Sequence, residues 1–350
     1  MTDDELTIAW DGADGRRLAE LRALFLERSE GSGAAVTRDY WTCERDLELY
    51  DATLGARIGW RWDRVLEEAT RRGASCSRNP AATVVDLGCG SGVASRAAWR
   101  AGWIAPGARV HCVDRSTLAT AHAASRLRAI APDMEVHESA LMPRAAPELL
   151  LIGHLVLEVD DRAFGELIES ARRARTTVWI EPGTRFAGRR LSEVHEALRD
   201  ERSAVAPCPH AARCGLLDEG RERDWCHHFP EPPADAFTEP LPGKTAHELG
   251  LDIRSLATSY LVLQEEVASL PGDVGRVLGR PKIEKGRARV DLCTASGVGR
   301  FDLAKRDDPK LWRAWKRPGR ERLLYHVEVD GSRLRSARAF DEEVDRGESD

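Results

Sequence analysis

Ala81-Ala82-Thr83-Val84-Val85-Asp86-Leu87-Gly88-Cys89-Gly90-Ser91-Gly92, running on into Val93-Ala94-Ser95-Arg96-Ala97-Ala98-Trp99-Arg100, is the stretch that decides the fold. An apolar run ends in a carboxylate, glycines follow at alternate positions, and a segment with helical spacing opens directly behind them. Glycines at a strand-to-helix turn let the backbone bend sharply and approach a ligand closely. A bare glycine-rich turn would serve a nicotinamide cofactor equally well. Here Asp86 precedes Gly88, Gly90 and Gly92, where it would repel a pyrophosphate and can engage the amino group of the methionine portion of S-adenosylmethionine. Asp114 ends the next apolar run, residues 108–116, and is placed to accept hydrogen bonds from both ribose hydroxyls. These five residues are the expected cofactor set; the competing reading is an ordinary strand–helix turn.

Working outward, residues 133–140, 147–159 and 176–185 read as third, fourth and fifth strands, with helices near 117–130 and 160–174. Strands alternating with helices at this spacing imply a doubly wound parallel sheet, with ligands at the carboxyl ends of its strands. The expected fold is therefore α/β, a class I S-adenosylmethionine-dependent methyltransferase with a Rossmann-like doubly wound sheet. Before it, residues 16–28 and 39–72 read as helices. The expected division is an N-terminal helical region (1–78), the cofactor-binding domain (79–204), a Cys-rich loop (205–243), sheet completion with a basic C-terminal part containing strands (244–335), and an acidic tail (336–350). Within the fourth part, residues 253–264 and 287–304 read as strands, the latter a hairpin over Ala295-Ser296-Gly297.

Methyl transfer needs mainly alignment, because the sulfonium is already electrophilic. The region after the fourth strand, residues 152–158, lacks the Asn/Asp-Pro-Pro-aromatic motif of exocyclic-amine methylation and the Pro-Cys nucleophile used on pyrimidine carbon-5. No catalytic base is assigned. His154, Glu158 and, at the end of the fifth strand, Glu181 are candidates for orienting a substrate, against structural roles for each.

Of eight cysteines, Cys43, Cys76, Cys89 and Cys112 read as small buried hydrophobes. The others do not. Residues 205–243 hold three cysteines, three histidines and seven prolines with little periodicity. Such a segment has few apolar side chains to hold it together, and a bound metal would replace the missing core. Cys208, Cys214 and Cys226 lie in that loop, and Cys293, on an expected strand, could complete a set of four. By chemistry alone, zinc (with His210, His227 or His228 as substitutes) and an iron–sulfur cluster both suit them.

Composition bounds the rest. With 42% hydrophobic and 31% charged residues, the chain suits a globular protein. It has no run of about eighteen apolar residues to span a membrane, and the acidic opening residues do not resemble a signal peptide, so a cytoplasmic location is expected. Net charge is −6, yet residues 275–325 hold 15 Lys plus Arg against 6 Asp plus Glu. That asymmetry points to a polyanionic partner, RNA, for the basic part. Arg276, Arg280, Lys282, Lys285, Arg287 and Arg289 precede Cys293, and further basic residues follow it, interleaved with Phe301, Trp312 and Trp315.

The pattern Cys208-Pro209-His210-x-x-x-Cys214, then Asp224-Trp225-Cys226-His227-x-Phe229, then a later strand with Cys293, resembles the methyltransferase-like proteins of the mitochondrial small ribosomal subunit and their bacterial relatives. Residues 50–68, 180–185, 259–264 and 290–297 fit the same family, and the likeness runs from about 40 to 320. The resemblance implies a [4Fe-4S] cluster on Cys208, Cys214, Cys226 and Cys293, which favours iron–sulfur over zinc. It also implies association with small-subunit ribosomal RNA during assembly. The chain departs from the pattern in a longer gap before Cys226 and in Gly215 where the family tends to have Pro. The resulting expectation is a methyltransferase-like protein acting on or binding small-subunit rRNA. The alternatives are a non-catalytic S-adenosylmethionine-binding assembly factor, or a small-molecule methyltransferase with a structural zinc loop.

Overall fold

The apolar run at 81–90 forms the central strand of a sheet whose order explains most of the chain. The computed structural model describes residues 11–26, 39–74, 79–266, 270–317 and 324–340. Helices α1 (Gly12–Leu26) and α2 (Glu44–Tyr50), a π-helical turn (Asp51–Gly55) and α3 (Ala56–Arg71) come first. Next follow β1 (Thr83–Leu87), α4 (Val93–Arg100), β2 (Arg109–Val113), α5 (Thr117–Ile130), β3 (Glu135–Ser139) and β4 (Leu149–Gly153). The cofactor-type half continues with α6 (Asp161–Arg173), β5 (Thr176–Pro182), α7 (Arg185–Leu198) and β6 (Ser203–Ala206). After the Cys-rich loop come the short helix α8 (Asp235–Thr238), α9 (Pro240–Leu249) and β7 (Thr258–Gln264).

The seven strands run β3-β2-β1-β4-β5-β7-β6, and β7 is antiparallel to both of its neighbours. β1 to β5 are parallel; the central β1, β4 and β5 are covered on both faces, which is why their sequences are nearly continuous apolar runs, while the edge strand β3 is largely polar. Alternate residues go to opposite sides: Val84, Leu149 and Leu151 meet Trp62, Leu66 and Leu127 of the preceding and following helices. Val85, Leu150 and Ile152 meet Phe164, Leu167 and Leu191 of α6 and α7. Side-chain oxygens of Asp160 and Thr184 cap those two helices, accepting from the amides of Ala163 and Ala187 at 2.8 and 3.3 Å.

Two expected elements are shorter than the sequence suggests. The helical stretch expected over 39–72 begins only at Glu44 and runs to Arg71 with a π turn inside it, where buried Asp51 reaches across to Arg96 and Ser91. The fourth strand ends at Gly153, because His154 takes a left-handed backbone (φ 58) that turns the chain off the sheet.

The strands of the basic part do more than complete the sheet. β8 (Val274–Glu284), β9 (Arg287–Thr294), β10 (Gly297–Ala304), α10 (Pro309–Trp315), β11 (Leu324–Asp330) and β12 (Arg333–Ala339) form a closed barrel ordered β10-β12-β11-β8-β9. Its third and fifth strands pair in parallel, all other pairs are antiparallel, and a helix lies between the third and fourth strands. That is the Greek-key order of an OB-fold. Val277, Val290, Leu292, Leu303, Trp315 and Leu334 fill its core. The last strand runs to Ala339, four residues into the segment expected to be tail. Residues 341–350 lie outside the described residues, as do Cys76, Arg320 and Arg322.

Candidate cofactor cavity and cysteine junction

The carboxyl ends of β1, β2 and β4 open on a cavity of about 940 Å³ lined by Asp86, Gly88, Gly90, Asp114, His154 and Glu158. The glycine loop is shaped by backbone bonds: the amides of Gly88 and Cys89 donate to the Val113 carbonyl at 2.8 and 3.1 Å. Gly92 has φ 76, and a Cβ there would fall 2.9 Å from Cα and Cβ of Ala123 on α5, so only glycine lets the two helices meet. Asp114 accepts from the amides of Gly90 and Ser116, each at 3.0 Å. Burial raises its pKa, so the site favours hydroxyl donors over a lone negative charge. Asp86, 1% exposed, accepts from the amide of Ser95 at the start of α4, and burial pushes it up to about 7.

Sequence reasoning missed what holds the loop from behind. The Ser91 hydroxyl donates to Asp51 at 3.1 Å, and Arg96 pairs with the same carboxylate while donating to the Ser91 carbonyl. Asp51 alone looks like an ordinary helix residue; a π turn at a functional site is its only local signature, and that is visible in structure alone.

The three substrate-orienting candidates separate. Glu158 lines the cavity and accepts from the Tyr40 hydroxyl at 3.2 Å. His154 also lines it; burial, helped by the nearby Arg61 charge, holds the imidazole neutral with a pKa of about 3. Glu181 is 0% exposed and lies behind the cavity wall. One of its oxygens accepts from the amides of Leu155 and Val156 and from Trp179 Nε1, at 2.9–3.1 Å. The other oxygen has no partner among the described residues, and burial raises the group to about 7, which suits a protonated brace for the turn after β4.

The four later cysteines meet where the sheet and the barrel join. The Cys-rich segment lies along α7, where a Cβ on Gly188 would come within 2.6 Å of the Cys226 carbonyl. It is pinned from three sides. The Cys208 carbonyl accepts from Arg72 at 2.7 Å, the Cys214 amide donates to Glu196 at 2.7 Å, and the Cys226 carbonyl accepts from Ser259 Oγ at 2.7 Å. Cys293 comes from β9 of the barrel, and His210 Nε2 lies 3.2 Å from its sulfur. A second imidazole, His228, sits 3.3 Å from the Cys226 sulfur. Burial pushes all four thiols up, Cys208 to about 11, and Cys226 is raised further by Cys208, Cys214 and Cys293.

Among the described residues, no three or more His, Cys, Asp and Glu side chains converge as one ion requires. Sulfurs each about 2.3 Å from a single zinc must lie within about 4 Å of one another. A polynuclear cluster binds each thiolate to a different metal atom and spaces them more widely.

The basic residues divide as well. Arg276, expected on the RNA-facing surface, is 1% exposed and paired with Glu68 of α3, with the Tyr260 hydroxyl between them. Arg289 and Arg300 are paired across β9–β10 with Asp302 and Asp291. Lys282, Lys285, Lys305, Lys310 and Lys316 are exposed, and the Lys305 amide donating to the Gly286 carbonyl brings the β8–β9 turn beside the β10–α10 loop. Trp315 is buried, Trp312 half-buried beneath Lys305 and Lys316. Cys43, expected inside, is exposed.

A 3-2-1-4-5-7-6 sheet with a glycine loop after its first strand and a carboxylate ending its second defines a class I S-adenosylmethionine-dependent methyltransferase fold. Residues 64–318 match the family described as mitochondrial small ribosomal subunit Rsm22, and the chain belongs to that family. No curated protein matches the chain. Similar solved structures include a SAM-dependent methyltransferase from Aquifex aeolicus, 12% identical over 63% of this chain and 99% of that one, TM-score 0.36. Another is the precorrin-6y C5,15-methyltransferase of Geobacter metallireducens, 13% identical over 57% and 86%, TM-score 0.33. No helix of the described residues is long and apolar enough to cross a membrane.

Proposed function

We propose that the chain binds S-adenosylmethionine in the cavity, carries a [4Fe-4S] cluster on Cys208, Cys214, Cys226 and Cys293, and acts on or binds small-subunit ribosomal RNA in the cytoplasm. The observation that carries this reading is the seam: four half-buried thiols lie between a cofactor sheet and a basic barrel of OB topology. Asp114 would take the ribose hydroxyls, and the loop of Gly88, Gly90 and Gly92 would admit the nucleoside against the backbone, with Asp86 at the methionine end. The cluster, when bound, supplies cross-linking between loop and barrel. Arg72, Arg276 and the two imidazoles supply positive charge and N–H donors around its thiolates.

OB barrels take oligonucleotides on the face of their second and third strands. Here Asp291 and Val298 of that face meet the Cys-rich loop, and its arginines are paired with aspartates. The RNA backbone is therefore assigned to the lysine-bearing end of the barrel. The RRM-like use of stacked aromatics has no counterpart among its exposed residues.

Cofactor binding without turnover is a second reading with its own support: residues 152–158 carry neither the Asn/Asp-Pro-Pro-aromatic motif nor the Pro-Cys nucleophile. One experiment separates the readings. Ultraviolet crosslinking in cells should enrich small-subunit rRNA, and single-turnover transfer of a labelled methyl group to that RNA marks an enzyme. Crosslinks without transfer mark an assembly factor. Enrichment of unrelated RNAs, or of none, would sink the ribosomal reading.

A further inference from the structure

The cavity contains positive charge that ribose and methionine-amino contacts leave unused. Arg57 and Arg61 lie one turn apart on α3, and both line it. Arg61 donates only to the carbonyl of Arg57 on its own helix, at 3.4 Å, and its Nε has no partner among the described residues. Arg57 donates through Nη2 to the carbonyls of Asp252 and Ser255 and leaves its own Nε unpartnered. Nε2 of His154, beside Arg61, is unpartnered too. No carboxylate of the described residues pairs with either arginine.

Of the four acidic residues lining the cavity, Asp86 ends β1 and is bonded to the amide of Ser95. Asp39, Asp114 and Glu158 gather with Tyr40 and Arg115, around the place where a ribose is expected. The cavity is thus polarised, with hydroxyl acceptors at the β2 end and uncompensated guanidinium at the α3 end. Burial, with Arg57 adding to it, holds Arg61 down to about 9, a sign of how poorly its charge is matched. A buried charge without a counter-charge is costly, and an anionic ligand is what removes the cost. Position agrees: the ring of Trp62, the next residue on α3, packs against Gly153 at the end of β4, which fixes Arg61 at the mouth of the central strands.

We propose that Arg61, backed by Arg57, is a receptor for a carboxylate-class oxyanion in this cavity. Its first occupant is the α-carboxylate at the methionine end of the cofactor, so this inference rests on the cofactor reading above. A cavity of about 940 Å³ is near the upper end of small-molecule sites, so an anionic group of an acceptor is the other source of the same chemistry.

Calorimetric titration of the full chain decides it, with S-adenosylhomocysteine, with 5′-methylthioadenosine (which lacks the amino-acid end), and with inorganic phosphate added to the protein with and without S-adenosylhomocysteine. Arg61→Met should weaken S-adenosylhomocysteine roughly 10- to 100-fold, the worth of a charged hydrogen bond, and leave 5′-methylthioadenosine unchanged. Arg61→Lys should recover part of the loss. Unchanged S-adenosylhomocysteine affinity with phosphate binding lost also supports the receptor and assigns the oxyanion to the acceptor. Equal loss of both nucleosides, or no change in any ligand, overturns it. If the unaltered protein binds neither nucleoside, the cofactor reading falls, and the phosphate arm alone judges Arg61.

Discussion

The cofactor cavity and the cysteine junction are built in opposite ways. The cavity floor comes from residues close in sequence, 86–92 and 114, shaped by backbone amides and by strands that order themselves. The junction draws on Glu68, Cys208, Cys226, Tyr260, Arg276 and Cys293, which no local propensity brings together. Its polar groups are buried among one another, so each depends on the rest. The difference teaches that the first region should tolerate change at single side chains, and the second should not.

The largest break is expected at the junction. Arg276→Ala leaves Glu68 charged and enclosed, and should destabilise the protein by about 3–5 kcal/mol, read as the denaturant midpoint. A loss under about 1 kcal/mol would mean the seam carries no strain of its own. In the cavity the corresponding break needs backbone, and Gly92→Ala supplies it. A left-handed residue costs about 1–2 kcal/mol before the clash with Ala123 is counted. Cofactor affinity should fall with stability.

The brace Glu181 gives a pH signature. Its folded pKa of about 7 stands above the 4.5 of an exposed glutamate, so the folded state binds the proton more tightly. Stability from this group is full at low pH and is lost as pH rises towards and through 7, by on the order of 2–3 kcal/mol. Glu181→Gln should reduce that slope and leave the part contributed by Asp86, as seen by comparing urea midpoints at acid and mildly alkaline pH. A variant with the same slope as the unaltered chain contradicts the protonated brace. The smallest effect is expected at a helix end: Thr184→Ala, at the rim of the cavity, removes the cap of α7 and should cost about 1 kcal/mol in thermal unfolding.

The same contrast governs what could be read in the sequence. Strands β1, β4 and β5 were legible because parallel strands covered on both sides are apolar for most of their length, and the glycine loop because its chemistry is local. The end of β4 was misjudged since the apolar run continues past Gly153, and only the Glu181 brace and the left-handed His154 show where the sheet stops. β6, β8, β11 and β12 gave little signal; barrel strands alternate, and those of β11 and β12 are rich in charge. Arg276 looked like its neighbours in a basic run, because nothing in the string 276–289 says that one arginine faces Glu68, some 208 positions away. Arg57 and Arg61 were not singled out for the same reason: spacing along α3 does not show that they line the cavity.

Whether the junction is closed by an inorganic cluster is tested most directly by iron and acid-labile sulfide analysis of anaerobically purified protein, with Cys293→Ser alongside. The account predicts a brown protein with about four iron and four sulfide per chain, and loss of both in the variant. A colourless protein holding one zinc, or a variant that keeps its iron, would contradict it.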